Sequence, residues 1–389
     1  MSAAAKGLHA AEDAFWDAPQ RAAFRRALLR WYDAHGRDLP WRRTRDPYAI
    51  WLSEIMLQQT HVATVIGYYE RFLAAFPQLP DLAAASEQQV LRLWEGLGYY
   101  RRARQLHAAA RRMVEMHAGE FPRGFEQISA LPGIGRYTAG AVASFAFDDR
   151  RPIVEANTQR LYARLLALRD DPRSRVSQDR LWRFAEAILP DRFPGRLNQA
   201  LIEVGGQVCK PRQPLCPSCP VRRFCGAFQQ GLVDEIPAAG KRMRYENALE
   251  AAVAVRDARG RILLRRRGDQ ERWAGMWDFP RGSLAVGDAA LDPRSLDLAK
   301  VREIVRDQTG VVVEGLAERF RLRHGVTRFR IELVCFDATA RGGIRAGEGL
   351  CWKAPRQLTD VALSVSARKI ADHLRREGIA PSPRRKGRS

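Results

Sequence analysis

Four cysteines fall within seventeen residues, Cys209, Cys216, Cys219 and Cys225, in the spacing C-x6-C-x2-C-x5-C. Four thiolates so close in sequence hold either zinc or an iron–sulfur cluster. Structural zinc usually uses two C-x2-C knuckles, and this loop has one, so on the residues alone both metals stay open. A second chemistry lies in two acids set in apolar runs: Glu54 within Trp51-Leu52-Ser53-Glu54-Ile55-Met56-Leu57, and Glu155 within Ile153-Val154-Glu155. A carboxyl desolvated by such neighbours has a raised pKa and can act as a general acid near neutrality. The blander alternative is an acid on a helix surface. A third device is Leu131-Pro132-Gly133-Ile134-Gly135. Gly133 and Gly135 can take positive φ without a Cβ penalty. The first N–H groups of the helix that follows then favour a phosphate.

These groups need elements to carry them. Tyr48–Gln59 is expected to be the helix bearing Glu54, and Tyr137–Phe147 the helix opened by the glycine turn. Ala139, Gly140 and Ala143 are small enough for close packing, and Glu155 arrives twenty residues after Gly135. Helical periodicity also covers 20–35, 62–76, 101–117, 159–168, 177–189 and 196–204. Ser86-Glu87-Gln88-Gln89 is a capping box opening a helix through Trp94. Trp41, Tyr99 and Tyr100 stand on predicted loops, where aromatics stack on bases or simply pack a rim. Arg101, Arg102 and Arg104 follow as candidate phosphate contacts. Past a Pro-, Ala- and Gly-bearing linker at 230–247 the pattern becomes β-branched or alternating. Strands are predicted at 251–255, 262–265, 311–314 and 329–336, with one helix at 296–308.

The chain has 389 residues, 46% of them hydrophobic, which is enough for two or three globular domains. No apolar run reaches membrane-spanning length, and the first residues lack the apolar core of a secretory signal, so a reducing cytoplasm is expected. There the clustered cysteines bind metal rather than form disulfides. A net charge of +21 points to an anionic partner, nucleic acid before membrane, although an arginine-favouring genome would also raise it.

The motifs DPYAIWLSEIMLQQT, WEGLGYYRRAR, LPGIGRYTAGA, the four-cysteine loop and LNQALIEVG, in that order, resemble the helix–hairpin–helix base-excision glycosylases, specifically the adenine glycosylase (MutY) family. LLRRRGDQERWAGMWDFPRG resembles the start of that family's C-terminal, Nudix-like domain, and the likeness runs from residue 20 to about 375. It implies a multi-domain chain. An all-α glycosylase domain spans 20–229, with its helix–hairpin–helix at 129–147 and an iron–sulfur loop at 209–225. An α+β Nudix-like recognition domain spans 248–375, between a flexible start (1–19) and a basic tail (376–389). It further implies a 4Fe-4S cluster on Cys209, Cys216, Cys219 and Cys225, duplex DNA as partner, no membrane, and a monomer.

Carried over by position, Glu54 protonates the adenine ring at N7 and Glu155 stabilises the sugar cation, as in other carboxylate-pair glycosidic cleavages. Tyr137, Asn157 and Glu203 line the pocket, Trp41 and Arg42 touch the extruded adenine, and Gln59 and Tyr99 intrude into the duplex. Strand-cutting relatives have Lys where this chain has Tyr137, so a monofunctional enzyme is implied.

Three departures stand out. The family's Asp-Gly-Asn reads Glu155-Ala156-Asn157, a side chain longer by about 1.5 Å. The Phe-Ser-His loop that recognises 8-oxoguanine is absent after Arg323-His324, where Gly325-Val326-Thr327-Arg328 follows. The Nudix metal box carries Ile304, Asp307 and Gln308 in place of glutamates, so that domain recognises rather than hydrolyses. Adenine excision from a mispair is the leading expectation. A glycosylase for another damaged base, or a catalytically silent damage-binding protein, are the alternatives.

Overall fold

In a computed structural model of the chain, which describes residues 15–238, 240, 244–286, 296–342 and 347–379, the helical half begins on an aromatic anchor. Phe15 packs edge-on against Phe184 at 5.3 Å, and Trp16 lies 4.9 Å from Phe24 and 5.5 Å from Phe224. The loose start expected through residue 19 is thus corrected at Phe15 and Trp16, whose ring area draws them onto the core. Asp17 then closes a capping box with Gln20 and, with Pro19 in the first turn, opens α1 (Ala18–His35).

Asp46 caps α2 (Pro47–Leu57), accepting from the Tyr48 N–H at 3.0 Å. Every residue from Tyr48 to Met56 is buried, as befits a helix apolar on all sides. The helix stops two residues short of its predicted end, because Gln59 takes a left-handed φ of 56°. Next come α3 (Val62–Ala75), α4 (Leu79–Ala84), α5 (Glu87–Trp94), α6 (Arg101–His117) and α7 (Phe125–Ser129). The turn from α7 to α8 (Arg136–Phe147) needs positive φ at Gly133, 75°, but not at Gly135, which caps α8 in an extended conformation at −94°. Gly140 on α8 permits a close approach: a Cβ there would lie 2.7 Å from the Pro152 carbonyl oxygen. The segment leading to Glu155 therefore runs hard against α8. It feeds α9 (Ala156–Leu165), then α10 (Arg175–Ile188), α11 (Pro194–Gln207) and the single turn α12 (Gly226–Gln229).

The described residues group into two compact units, those up to Ala83 with those of 108–241, and those of 84–107 with those from 242 onward. This differs from the contiguous division read from the sequence. The 84–107 segment is bonded into the second unit by side chains with no sequence-local signature. Gln88 donates to the Gly275 carbonyl at 2.8 Å, Arg104 pairs with Asp269 at 2.6 Å, and Arg368 pairs with Glu95 at 2.6 Å.

The second unit is built on β1 (Glu246–Arg256), which pairs in parallel with β6 (Phe329–Ala340) and antiparallel with β2 (Ile262–Arg266) and β4 (Arg281–Val286). Short β3 (Trp277–Asp278) and β7 (Leu350–Lys353) extend from β2, and β5 (Val313–Val326) flanks β6. Alternate β1 residues feed two cores. Leu249, Val253 and Val255 join Val301 and Val305 of α13 (Leu298–Thr309), while Ala248, Ala252 and Ala254 join Ile370 and Leu374 of α14 (Val365–Ile379). A strand buried on both faces reads as one apolar run, which is how β1 was legible. The helix α14 reaches Ile379, into the stretch expected to be tail; residues 380–389 lie outside the described residues. No described helix is long and apolar enough to cross a membrane.

Candidate active site

A cavity of about 580 Å³ lies between α2, the turn before it, α8, and the start of α9. It brings together Glu54, Tyr137, Glu155 and Asn157, with Trp41, Arg42, Gln59 and Gly135 around them. The volume suits a nucleobase with its sugar.

Glu54 projects from the middle of α2 and is only 6% exposed. Its Oε2 accepts the Tyr137 hydroxyl at 2.6 Å. Burial pushes its carboxyl up to about 7, helped by the charge of Glu155 and opposed by the Tyr137 bond and Arg42. Burial, reinforced by both acids, holds the Tyr137 phenol well above its ordinary range, so it remains a neutral donor. Glu54 can therefore hold or release its proton near neutrality while Tyr137 stays protonated.

Glu155 has a second employment that the sequence reading did not foresee. It is the N-cap of α9, its carboxylate accepting the Asn157 N–H at 2.9 Å and the Thr158 N–H at 2.8 Å. Glutamate is not among the favoured capping residues, whose shorter side chains reach these donors directly. Burial raises its pKa, while the Asn157 and Thr158 amides pull it back. Asn157 itself bridges, donating to Glu155 at 3.3 Å and accepting from Arg160 at 2.9 Å.

Glu203 does not line the cavity; it lies behind it, fully buried. It accepts from Arg37 at 2.6 and 3.0 Å, from Arg42 at 2.6 Å, and from Gln207. Burial would raise this carboxyl, but the two guanidiniums outweigh burial and hold it at about 2. Glu203 thus fixes Arg37 and Arg42, which do line the cavity. Arg37 was missed, and its only sequence signal is proximity to Trp41 and Arg42. Trp41 is buried, edge-on to Tyr69 at 5.4 Å.

Other expected residues fall elsewhere. Tyr99, in the second unit, is 56% exposed on a left-handed φ of 47°, a conformation uncommon for a bulky side chain. Tyr100 is buried. Arg102 is buried against the Leu97 and Gly98 carbonyls, and Arg104 is paired with Asp269 and Glu87, so neither is a free phosphate contact. Gly133 lies exposed on the hairpin.

Arg160 ties the cysteine loop to the start of α9, donating to the Cys209 carbonyl at 2.7 Å as well as to Asn157. Arg164 donates to Cys209 Sγ at 3.3 Å, a contact suited to a thiolate. Cys216, Cys219 and Cys225 each have thiol pKa values raised first by burial and then by neighbouring cysteines, Cys219 up to about 12. Cys209 is buried and Cys216, Cys219 and Cys225 are half-buried, with Val221 and Ala227 of the same loop buried. Among the described residues no group of three or more His, Cys, Asp or Glu is placed so that it could hold a metal ion.

In the second unit, Gln308 and the Arg281 backbone exchange hydrogen bonds at 2.8 and 3.1 Å, and Ile304 presses against Gly282. Of the box positions, Gln308 is thus spent on the Arg281 backbone and Ile304 on packing, while Asp307 is exposed beside Arg306 at 3.7 Å. His324 faces Arg281 at 3.1 Å, and burial with that cation lowers its pKa to about 4. The β5–β6 turn carries Thr327 at a φ of 50°, with Arg328 paired to Glu246 at 3.3 Å.

Residues 52–187 match the HhH-GPD superfamily of base excision DNA repair proteins, and residues 251–373 match the NUDIX domain family. An adenine DNA glycosylase of Mus musculus is 42% identical over 276 residues, covering 69% of this chain and 53% of that protein. Another, of Buchnera aphidicola, is 32% identical over 259 residues, covering 66% of this chain and 74% of that protein. A solved thermostable thymine-DNA glycosylase superposes with a TM-score of 0.51 at 29% identity, over 55% of this chain and 98% of its own. The chain spans about half the length of the mammalian relatives it matches. With Glu54, Glu155 and Tyr137 gathered in one cavity beside a helix–hairpin–helix, and a Nudix-like sheet following, the chain belongs to the adenine DNA glycosylase family.

Proposed function

We propose that this chain is a monofunctional DNA glycosylase of base-excision repair that hydrolyses the N-glycosidic bond of a flipped adenine mispaired with guanine or 8-oxoguanine. One observation carries it: Glu54, an acid with a pKa of about 7, hydrogen-bonded to Tyr137 in a base-sized cavity that also holds Glu155.

In the mechanism the hairpin amides around Gly133 and Gly135 grip a backbone phosphate of duplex DNA. Flipping costs a few kcal/mol of unstacking, ~2–4 kcal/mol, which an intruding Gln59 or Tyr99 offsets. Trp41 and Arg42, the latter held by Glu203, bound the base. Protonated Glu54 gives its proton to adenine N7. The C1′–N9 bond then breaks with its electron pair leaving on the base. The oxocarbenium-like sugar is stabilised by ionised Glu155, and water adds at C1′ while its proton passes to the Glu54 carboxylate. Tyr137 offers no amine for a Schiff base, so the strand stays intact.

Cys209, Cys216, Cys219 and Cys225 would hold the 4Fe-4S cluster, for which four thiols on one short loop and the Arg164 donor to Cys209 Sγ are fitting. Such a cluster supplies a rigid thiolate-bound staple. The protein acts as a monomer in the cytoplasm, on nucleoid DNA.

Single-turnover assays on duplexes with adenine opposite guanine, 8-oxoguanine or thymine, beside a panel of damaged bases, test this. Adenine release from the first two is expected. No free base from any adenine mispair at enzyme excess would sink the proposal, and release of another base alone would replace it. Val326, Thr327 and Arg328 at the β5–β6 turn make the opposite-base preference the informative part of that panel.

A further inference from the structure

The base cavity has a polar wall that neither catalytic acid supplies. Gln199 of α11 lines it, and so does Arg42. Both also line a second recess of about 400 Å³, and Tyr32 of α1 lines that recess but not the base cavity. Gln199 and Arg42 thus stand in the partition between the two spaces, with Tyr32 on its far side.

Tyr32 touches each of them. Its hydroxyl donates to Gln199 Oε1 at 2.9 Å. Its ring lies under the Arg42 guanidinium, with Cζ 5.5 Å from the ring centroid. The ring fits there because residue 36 is glycine: a Cβ at that position would stand 2.9 Å from Tyr32 Cε2. A phenol suits both contacts, offering an aromatic face to the cation and a hydroxyl at its tip.

A carboxamide carries an acceptor at one end and a pair of donors at the other, and its partners decide which way round it sits. With its oxygen held by Tyr32 on the recess side, Gln199 turns its NH2 group away from Tyr32. That group makes no hydrogen bond among the described residues. The base cavity is therefore offered a donor. Adenine has unprotonated N1 and N3 in its ring besides the N7 addressed by Glu54, whereas guanine carries a proton on N1.

We propose that Tyr32 is a positioning residue whose hydroxyl fixes the Gln199 amide with its NH2 group toward the base, so that the cavity favours a purine with an unprotonated N1 or N3 on that side. The assignment rests on the glycosylase reading above and gives it a source of base selectivity apart from the two acids.

Tyr32→Phe keeps the ring beneath Arg42 and deletes only the oxygen. On adenine opposite guanine its single-turnover rate should fall about tenfold, because the amide is then free to present either end. Duplexes with 1-deazaadenine or 3-deazaadenine in place of adenine replace one ring nitrogen by C–H. On the analogue that lacks the nitrogen met by Gln199, Tyr32→Phe should cost less than about twofold, since the acceptor is already gone. In a Gln199→Leu background Tyr32→Phe should cost nothing further on adenine. A role confined to packing predicts the same loss on all three bases and in both backgrounds. That result, or a wild-type rate on adenine, overturns the assignment and leaves the glycosylase reading standing. A wild-type protein that frees no adenine from any mispair removes that reading, and this assignment falls with it.

Discussion

Glu54 on α2 and Glu250 on β1 are equally dry, 6% and 3% exposed, yet electrically opposite. Burial would raise Glu250, but Arg281 at 2.6 Å and Arg272 overwhelm it and hold its carboxyl below the usual range. Arg281 also donates to the Ser366 hydroxyl at 2.8 Å and stacks on Trp273 at 4.7 Å, so it is held on several sides. Glu54 is met instead by a neutral phenol, and its pKa stays near 7. Burial alone does not make an acid reactive. A carboxylate answered by guanidiniums is a structural anion; one answered by a hydroxyl in a cavity keeps an exchangeable proton. Glu203 shows the first kind within the helical unit, beside Arg37 and Arg42.

The sharpest way to break this contrast is to remove each charge. Glu54→Gln should lower single-turnover excision by about 10³-fold while leaving duplex binding intact, since general-acid catalysis is worth about 10²–10⁴. A loss under tenfold would mean the proton comes from elsewhere. Glu250→Gln should instead leave the chemistry and cost stability, about 3–5 kcal/mol, because Arg281 remains buried without its anion. Denaturant unfolding reads this, and a cost below about 1 kcal/mol would mean that Glu250 is not a structural anion. Glu155→Asp retracts the second carboxylate from a cavity built around the longer residue. About 10²-fold slower excision is expected, with unchanged or slightly higher stability because aspartate caps a helix well. A rate at or above wild type would show that the cavity is fitted to the shorter acid. The mildest effect is in pH. The raised pKa of Glu54 means its proton is held below about pH 7 and lost above it, so excision should decline on the alkaline side of about 7. The Tyr137 bond lowers that pKa, so Tyr137→Phe should carry the alkaline limb upward; an unmoved or lowered limb would deny the coupling.

The acid of α2 was legible because Trp51–Met56 is apolar around the whole helix, leaving Glu54 nowhere wet to point. The capping box at Ser86 and the hairpin turn were legible because short-range bonds dictate them. What escaped was set by long-range contact. The sequence marks Glu155 as an acid delivered to a pocket, but its role as a cap depends on where α9 starts, three residues before the predicted helix. Glu203 was placed at the pocket wall, yet only the fold shows it behind Arg37 and Arg42. Strands β3, β4 and β7 are too short or too mixed to declare themselves, and β5 runs far beyond the predicted 311–314 because its exposed face alternates with charge. The grouping of 84–107 with the second unit follows from scattered arginine pairs that no local pattern encodes.

The missing methyl at Gly140 sets the address of the second acid. With the Pro152 carbonyl only 2.7 Å from where a Cβ would stand, even alanine there would push the chain outward just before Glu155. A site touching neither base nor sugar would then behave like an active-site position in any mutational scan. Damage there would register as slow chemistry together with the loss of stability that overpacking a buried contact brings.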